Sequence, residues 1–141
     1  MNDIQMARVL GLLSLGLGAA EIAMPRCVSH ELGLEKPQVV EAFGGREILN
    51  GLLALGYPDR AWPIWARVGG DVLDLAVLAV ALGSGNRRRH NAAWAALGVL
   101  GVTLADIAVA VALTRREQKA LATARRTHIR RKPGAPLPTT A

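Results

Sequence analysis

The sequence predicts an all-α protein, a four-transmembrane-helix bundle with short loops and a basic cytoplasmic tail. Three observations predict it. The stretches around residues 9–24, 61–83 and 91–114 are almost continuous in Leu, Ala, Val, Ile and Gly. The last two exceed the ~20 apolar residues needed to cross a ~30 Å hydrocarbon core, and the first approaches it. Trp62, Trp65 and Trp94 open the later stretches, where interfacial aromatic belts form. Small residues are dense throughout: Ser14 and Gly18, Gly44 and Gly45, Gly69 and Gly70, Gly98 and Gly101. In lipid, helices associate through close contact, which small residues permit. A hydrophobic fraction of 51% in 141 residues would suit a soluble domain almost as well. The distribution decides, not the total.

The elements follow in order, spanning about 7–24, 39–56, 61–82 and 91–114. The first helix ends before Pro25. Arg8 followed by an apolar run also fits a signal peptide with a small-residue site at Gly18-Ala19-Ala20. Asp3 in the leading region, and a helical pattern that continues through Glu21, favour a retained span. Residues 26–37 read as a polar connection. The second helix is the least apolar, because Glu41, Arg46, Glu47 and Asn50 interrupt it. A soluble amphipathic helix, or one lying in the interface, is its competing reading. Pro63 suits the first turn of the third helix. Gly83-Ser84-Gly85-Asn86 breaks the chain before the fourth. Residues 1–114 thus form the membrane domain and 115–141 the tail, disordered from about 133 by its Pro/Thr/Ala composition.

Net charge is +6, but eight of the seventeen Lys and Arg follow Leu113. The basic balance belongs to the tail, which should attract anionic lipid at ~1 kcal/mol per residue near the surface. It has no aromatic residues for base stacking, so no nucleic-acid partner is expected. Four spans put both termini on one side with Arg8, Arg60 and the tail, against Arg26, Lys36 and Arg87-Arg88-Arg89 on the other. Positive-inside bias places both ends in the cytoplasm of a bacterial inner membrane. Cys27 has no disulfide partner, and no Cys/His spacing suggests zinc. A phosphate-binding Gly loop and a Gly-x-Ser-x-Gly elbow are absent, so a non-enzymatic protein without cofactors is expected.

Besides Arg8 and Glu41 near span ends, seven ionisable residues lie inside the spans: Glu21, Arg46, Glu47, Arg67, Asp71, Asp74 and Asp106. Each costs ~2.5–3.5 kcal/mol at the bilayer centre on insertion scales, so such residues face the interior and pair or line a path. Arg67, Asp71 and Asp74 share one face of the third helix, with Ile64 and Leu78. Arg46 and Asn50 share a face of the second, and Asp106 one with Thr103 and Val102 of the fourth. Helical rise predicts two layers. Arg67 pairs with Asp71 and Asp106 in one. Arg46, Glu47, Asp74 and Glu21 form the other. Two guanidiniums cannot balance five carboxylates, so some acids carry a proton or a cation is present. The expected function is binding or conduction of a proton, cation or polar ligand by Glu21, Arg46, Glu47, Asn50, Arg67, Asp71, Asp74 and Asp106. The rival is a structural subunit, a homo-oligomer through its small-residue faces, whose buried ionic groups fix helix register.

Gly45-Arg46-Glu47-Ile48 with Asn50-Gly51, then Trp65-Ala66-Arg67-Val68-Gly69-Gly70-Asp71 and Asp74-Leu75, resemble the small bacterial membrane region of proteins labelled cyclase/dehydrase. The resemblance covers most of the four spans. There the region can accompany a START-like lipid- or polyketide-binding domain, which is missing here; the resemblance implies a separate START-like partner. In size and span count the chain is also similar to DoxX-like four-span proteins, which implies a membrane redox or enzyme helper as a further alternative.

Overall fold

Five α-helices make up the computed structural model, which describes residues 2–34, 36–83 and 85–130; no strand occurs among them. They are α1 (Asp3–Ala23), α2 (Pro25–Leu32), α3 (Pro37–Gly56), α4 (Trp62–Ala81) and α5 (Arg89–Arg130). α1 starts earlier than expected because Asn2 and Gln5 form a reciprocal cap: Gln5 N donates to Asn2 Oδ1 (2.9 Å) and Asn2 N to Gln5 Oε1 (3.1 Å).

The connection expected over 26–37 is largely a helix instead. Pro25 ends α1 but also serves as the first residue of α2, where its missing N–H costs nothing. Gly33 closes α2 with a left-handed φ of 67°. α5 runs unbroken for 42 residues, well past the expected limit at 114. No Gly or Pro interrupts residues 102–132, so nothing stops it. The segment expected to be disordered from about 133 lies outside the described residues.

α1 packs antiparallel on α3, and α4 on α5; fewer contacts join the two pairs. Glycines set the α1–α3 crossing. A Cβ at Gly18 would stand 2.6 Å from the Gly44 carbonyl oxygen, and one at Gly51 2.8 Å from that of Gly11. The backbones touch at both places. Gly45, Gly69, Gly98 and Gly101 by contrast would have no neighbour within 4 Å of a Cβ.

Near the chain termini the bundle is closed by an apolar plug: Ala7, Leu10, Ala54, Ile64, Ala110 and Leu113 are all buried there. The outer faces are apolar too. Leu12 is 60% exposed, Leu104 61% and Leu73 58%, while Glu47, Arg67, Asp71 and Asp106 are buried. Two helices, α1 and α5, are long and apolar enough to cross a membrane, against the four expected. α3 and α4 are 20 residues long, but each carries three ionisable residues: Glu41, Arg46 and Glu47 in one, Arg67, Asp71 and Asp74 in the other.

Candidate functional site

Helical spacing brings the inner polar residues together. Ser14 shares the buried face of α1 with Ala7, Leu10, Gly11 and Gly18. On α3 the buried face carries Val40, Gly44, Glu47, Asn50 and Ala54. On α4 it carries Ile64, Arg67, Asp71 and Leu78. The three-and-four spacing keeps each set on one side of its helix. Asp106 of α5 is wholly buried and Arg67 1% exposed, so neither charge is offset by water.

The result is one continuous buried acid–arginine network. Arg67 binds the Asp106 carboxylate sideways: Nε lies 3.2 and 3.1 Å from its two oxygens, and Nη2 3.1 Å from Oδ2. Fork-on-carboxylate geometry of this kind gives strong charge-assisted bonds. Arg67 Nη1 also donates to the Ser14 hydroxyl and lies 3.6 Å from Glu47 Oε2. The Ser14 hydroxyl in turn donates to Glu47 Oε2. Arg46 completes the second layer. Its Nη2 reaches Asp74 Oδ2 at 2.7 Å and Glu47 Oε1 at 3.0 Å, and its Nη1 donates to the Gly70 carbonyl at 2.6 Å. Phe43 covers that guanidinium, 5.3 Å from its ring centre.

Two expected pairings are not made. Arg67 forms no ion pair with Asp71, although they lie one turn apart, because its guanidinium extends across the bundle to Asp106 and Glu47. Glu21 forms none with Arg46, whose Nη1 and Nη2 are taken by Gly70, Asp74 and Glu47 while its buried Nε has no partner among the described residues. Glu47 was placed in one layer, yet it bridges both. Its part, like that of Ser14, depends on the rotation of α1 against α3, which one helix's spacing does not reveal. Asn50 is buried on the expected face, and its Nδ2 has no partner among the described residues.

Beside the network lies a cavity of about 540 Å³. Its walls are apolar side chains, among them Leu17, Val28, Phe43, Val77 and Val99. Glu47, Asp71 and Asp74 lie along it, and each offers an oxygen within 4.8 Å of the others. The Asp71 side chain is 5% exposed, and its Oδ2 has no hydrogen-bond partner among the described residues. The same holds for Asp74 Oδ1 and Glu21 Oε2, both from residues on the cavity wall. A buried polar atom without a partner is costly, and it marks where a ligand, water or proton belongs.

α2 flanks the cavity at the end away from the apolar plug, contributing Cys27, Val28, Glu31 and Leu32. It is strapped to the α4–α5 turn. Asn86 Nδ2 donates to the Leu32 and Ala81 carbonyls (2.9 and 2.7 Å), and Arg88 pairs with Glu31 at 2.8 Å. Cys27, within the stretch expected to be a polar connection, is exposed on this helix. No family model, curated protein or solved structure matches the chain.

Proposed function

We propose that the chain is a four-span integral membrane protein that binds a cation, or a ligand carrying one, at Asp71 between its two helix pairs. The observation that carries this reading is the Asp71 side chain, which lies along the cavity with its buried Oδ2 unmet by any donor among the described residues. Polar interior and apolar exterior support the membrane setting. Leu12, Leu73, Leu104 and their neighbours would expose a large apolar belt to water, which soluble monomers avoid. Trp62 and Trp65 at one end and Trp94 at the other are all exposed, as interfacial anchors are. α3 and α4 fall short on composition because they carry the network, and ionisable residues inside spans are by default functional.

Binding fits better than conduction, because the cavity reaches Glu47 and Arg67 but none of the apolar plug residues Leu10, Ile64 and Leu113. Alkaline carbonate should leave the protein in the membrane pellet; release into the supernatant would exclude the membrane reading. Thermal unfolding in lipid nanodiscs, titrated with sodium, magnesium and ethylammonium chlorides, tests the site. At least one cation should raise the midpoint saturably, as a native-state ligand must. Asp71→Asn should abolish that rise. Absence of any saturable rise would overturn the reading.

A further inference from the structure

We infer that the ligand is a primary amine on a hydrocarbon chain, its ammonium seated at Asp71 and its chain along the apolar wall. This rests on the cation-binding reading above and specifies its ligand class. Glu21, Asp71 and Asp74 line the cavity, and each has one buried carboxylate oxygen (Oε2, Oδ2 and Oδ1) that meets no donor among the described residues. The one guanidinium on the wall, that of Arg67, has all three nitrogens engaged by Asp106, Ser14 and Glu47. Glu31, further out, is paired with Arg88 and Asn91. The wall therefore asks for N–H donors and offers no unengaged cation to an anion. A fatty acid is excluded on that ground. An ammonium group carries N–H donors and one positive charge, which suits an acid-rich pocket whose closest carboxylates are Glu47, Asp71 and Asp74.

The wall chemistry then separates an organic cation from a bare metal ion. Calcium takes six to eight oxygens, and magnesium near-octahedral coordination. The cluster of Glu47, Asp71 and Asp74 offers three carboxylates, two of them already engaged by arginine. The rest of the cavity is Leu17, Val28, Val77, Val99 and similar side chains, with nothing to hold a hydration shell. About 540 Å³ is far more room than an ion needs and falls in the range of sites for small organic molecules. Apolar walls of this kind bind hydrocarbon by removing it from water.

The test uses the full chain in nanodiscs and its single cysteine. Cys27 is exposed and stands on the cavity wall, so a bound chain should shield it from alkylation. Dodecylamine is expected to slow maleimide modification of Cys27 at least tenfold, saturably. Dodecanol and dodecanoate, which enter the same bilayer, should leave the rate within twofold. Asp71→Asn should lose the protection. Gly98→Leu puts a side chain into the cavity from a position with open space around it, so it should lose dodecylamine protection while the protein stays folded. Equal protection by dodecanol or dodecanoate, or protection that survives Asp71→Asn, would overturn the inference. Stabilisation by sodium or magnesium without dodecylamine protection would overturn the amine but leave the cation site standing. No response to any cation would remove both.

Discussion

At the scale of single residues, the network divides into groups that are held and groups that are not. Arg67 and Asp106 are each other's main partners, and neither reaches water. Removing one partner of a buried pair leaves an uncompensated charge, at about 3–5 kcal/mol, whereas replacing both with apolar residues is often neutral. Arg67→Met should therefore lower stability by about that amount, and Asp106→Leu likewise, while the double variant recovers most of the loss. Unfolding in mixed micelles by a denaturing detergent measures all three; additive losses would show that the pair is not coupled. Asp71→Asn should differ in sign, leaving stability unchanged or higher, since it removes a charge that no arginine contacts. The identities of these residues were legible in the sequence, because a carboxylate or guanidinium among leucines has few reasons to be there. Their partners were less so. Spacing put Arg67 beside Asp71, but the long guanidinium side chain reaches a neighbouring helix as easily as its own. Which carboxylate it takes depends on helix rotation, a property of the assembled bundle.

At the scale of elements, the α1–α3 pair shows how few positions set a crossing. Gly18→Ala and Gly44→Ala each force a Cβ against carbonyl oxygen, at 2.6 and 2.8 Å, where backbone rather than a flexible side chain must yield. Overpacking costs of about 1–3 kcal/mol are expected. Gly45→Ala meets nothing and should be neutral or stabilising, because alanine favours helix over glycine by up to about 1 kcal/mol. Thermal midpoints of the three variants provide the comparison, and equal midpoints would contradict the backbone contact. α2 marks where sequence reading fell short. Pro25 was correctly seen to end one helix, but the same residue is well placed to begin another, and Gly33 supplies a matching stop. Both signals were present in a stretch too short and polar to attract a helix assignment. Its attachment is local: Asn86→Ala deletes the bonds to Leu32 and Ala81, so amides of α2 should exchange with deuterium faster while those of α1 and α3 do not change.

At the scale of the whole molecule, the two ends of the bundle are built differently, and that difference argues for binding over transport. The end near α2 holds the cavity and the uncompensated acids. The end near the tail holds Leu10, Ile64, Ala110 and Leu113, packed with no ionisable group among them. An ion entering from the α2 side would reach Arg67, engaged by Asp106 and Glu47, and beyond it a dry apolar layer of the kind that opposes passage of charge. Vesicles reconstituted with the protein should therefore show no proton or sodium flux above that of empty vesicles under an imposed gradient, even where the proposed cation binding is detected. A flux that disappears in Asp71→Asn would overturn this and return the acids to a conducting path. The same asymmetry sets the topology. At ~1.5 Å per residue α5 is ~63 Å long, about twice the hydrocarbon thickness, so its basic portion with Arg115, Arg116, Lys119, Arg125 and Arg126 projects from the tail side. On the proposed membrane reading, the basic excess puts that side in the cytoplasm and Cys27 on the outward face. A membrane-impermeant maleimide applied to intact cells should then label Cys27 before lysis; labelling only after lysis would invert the orientation and place the cavity mouth in the cytoplasm.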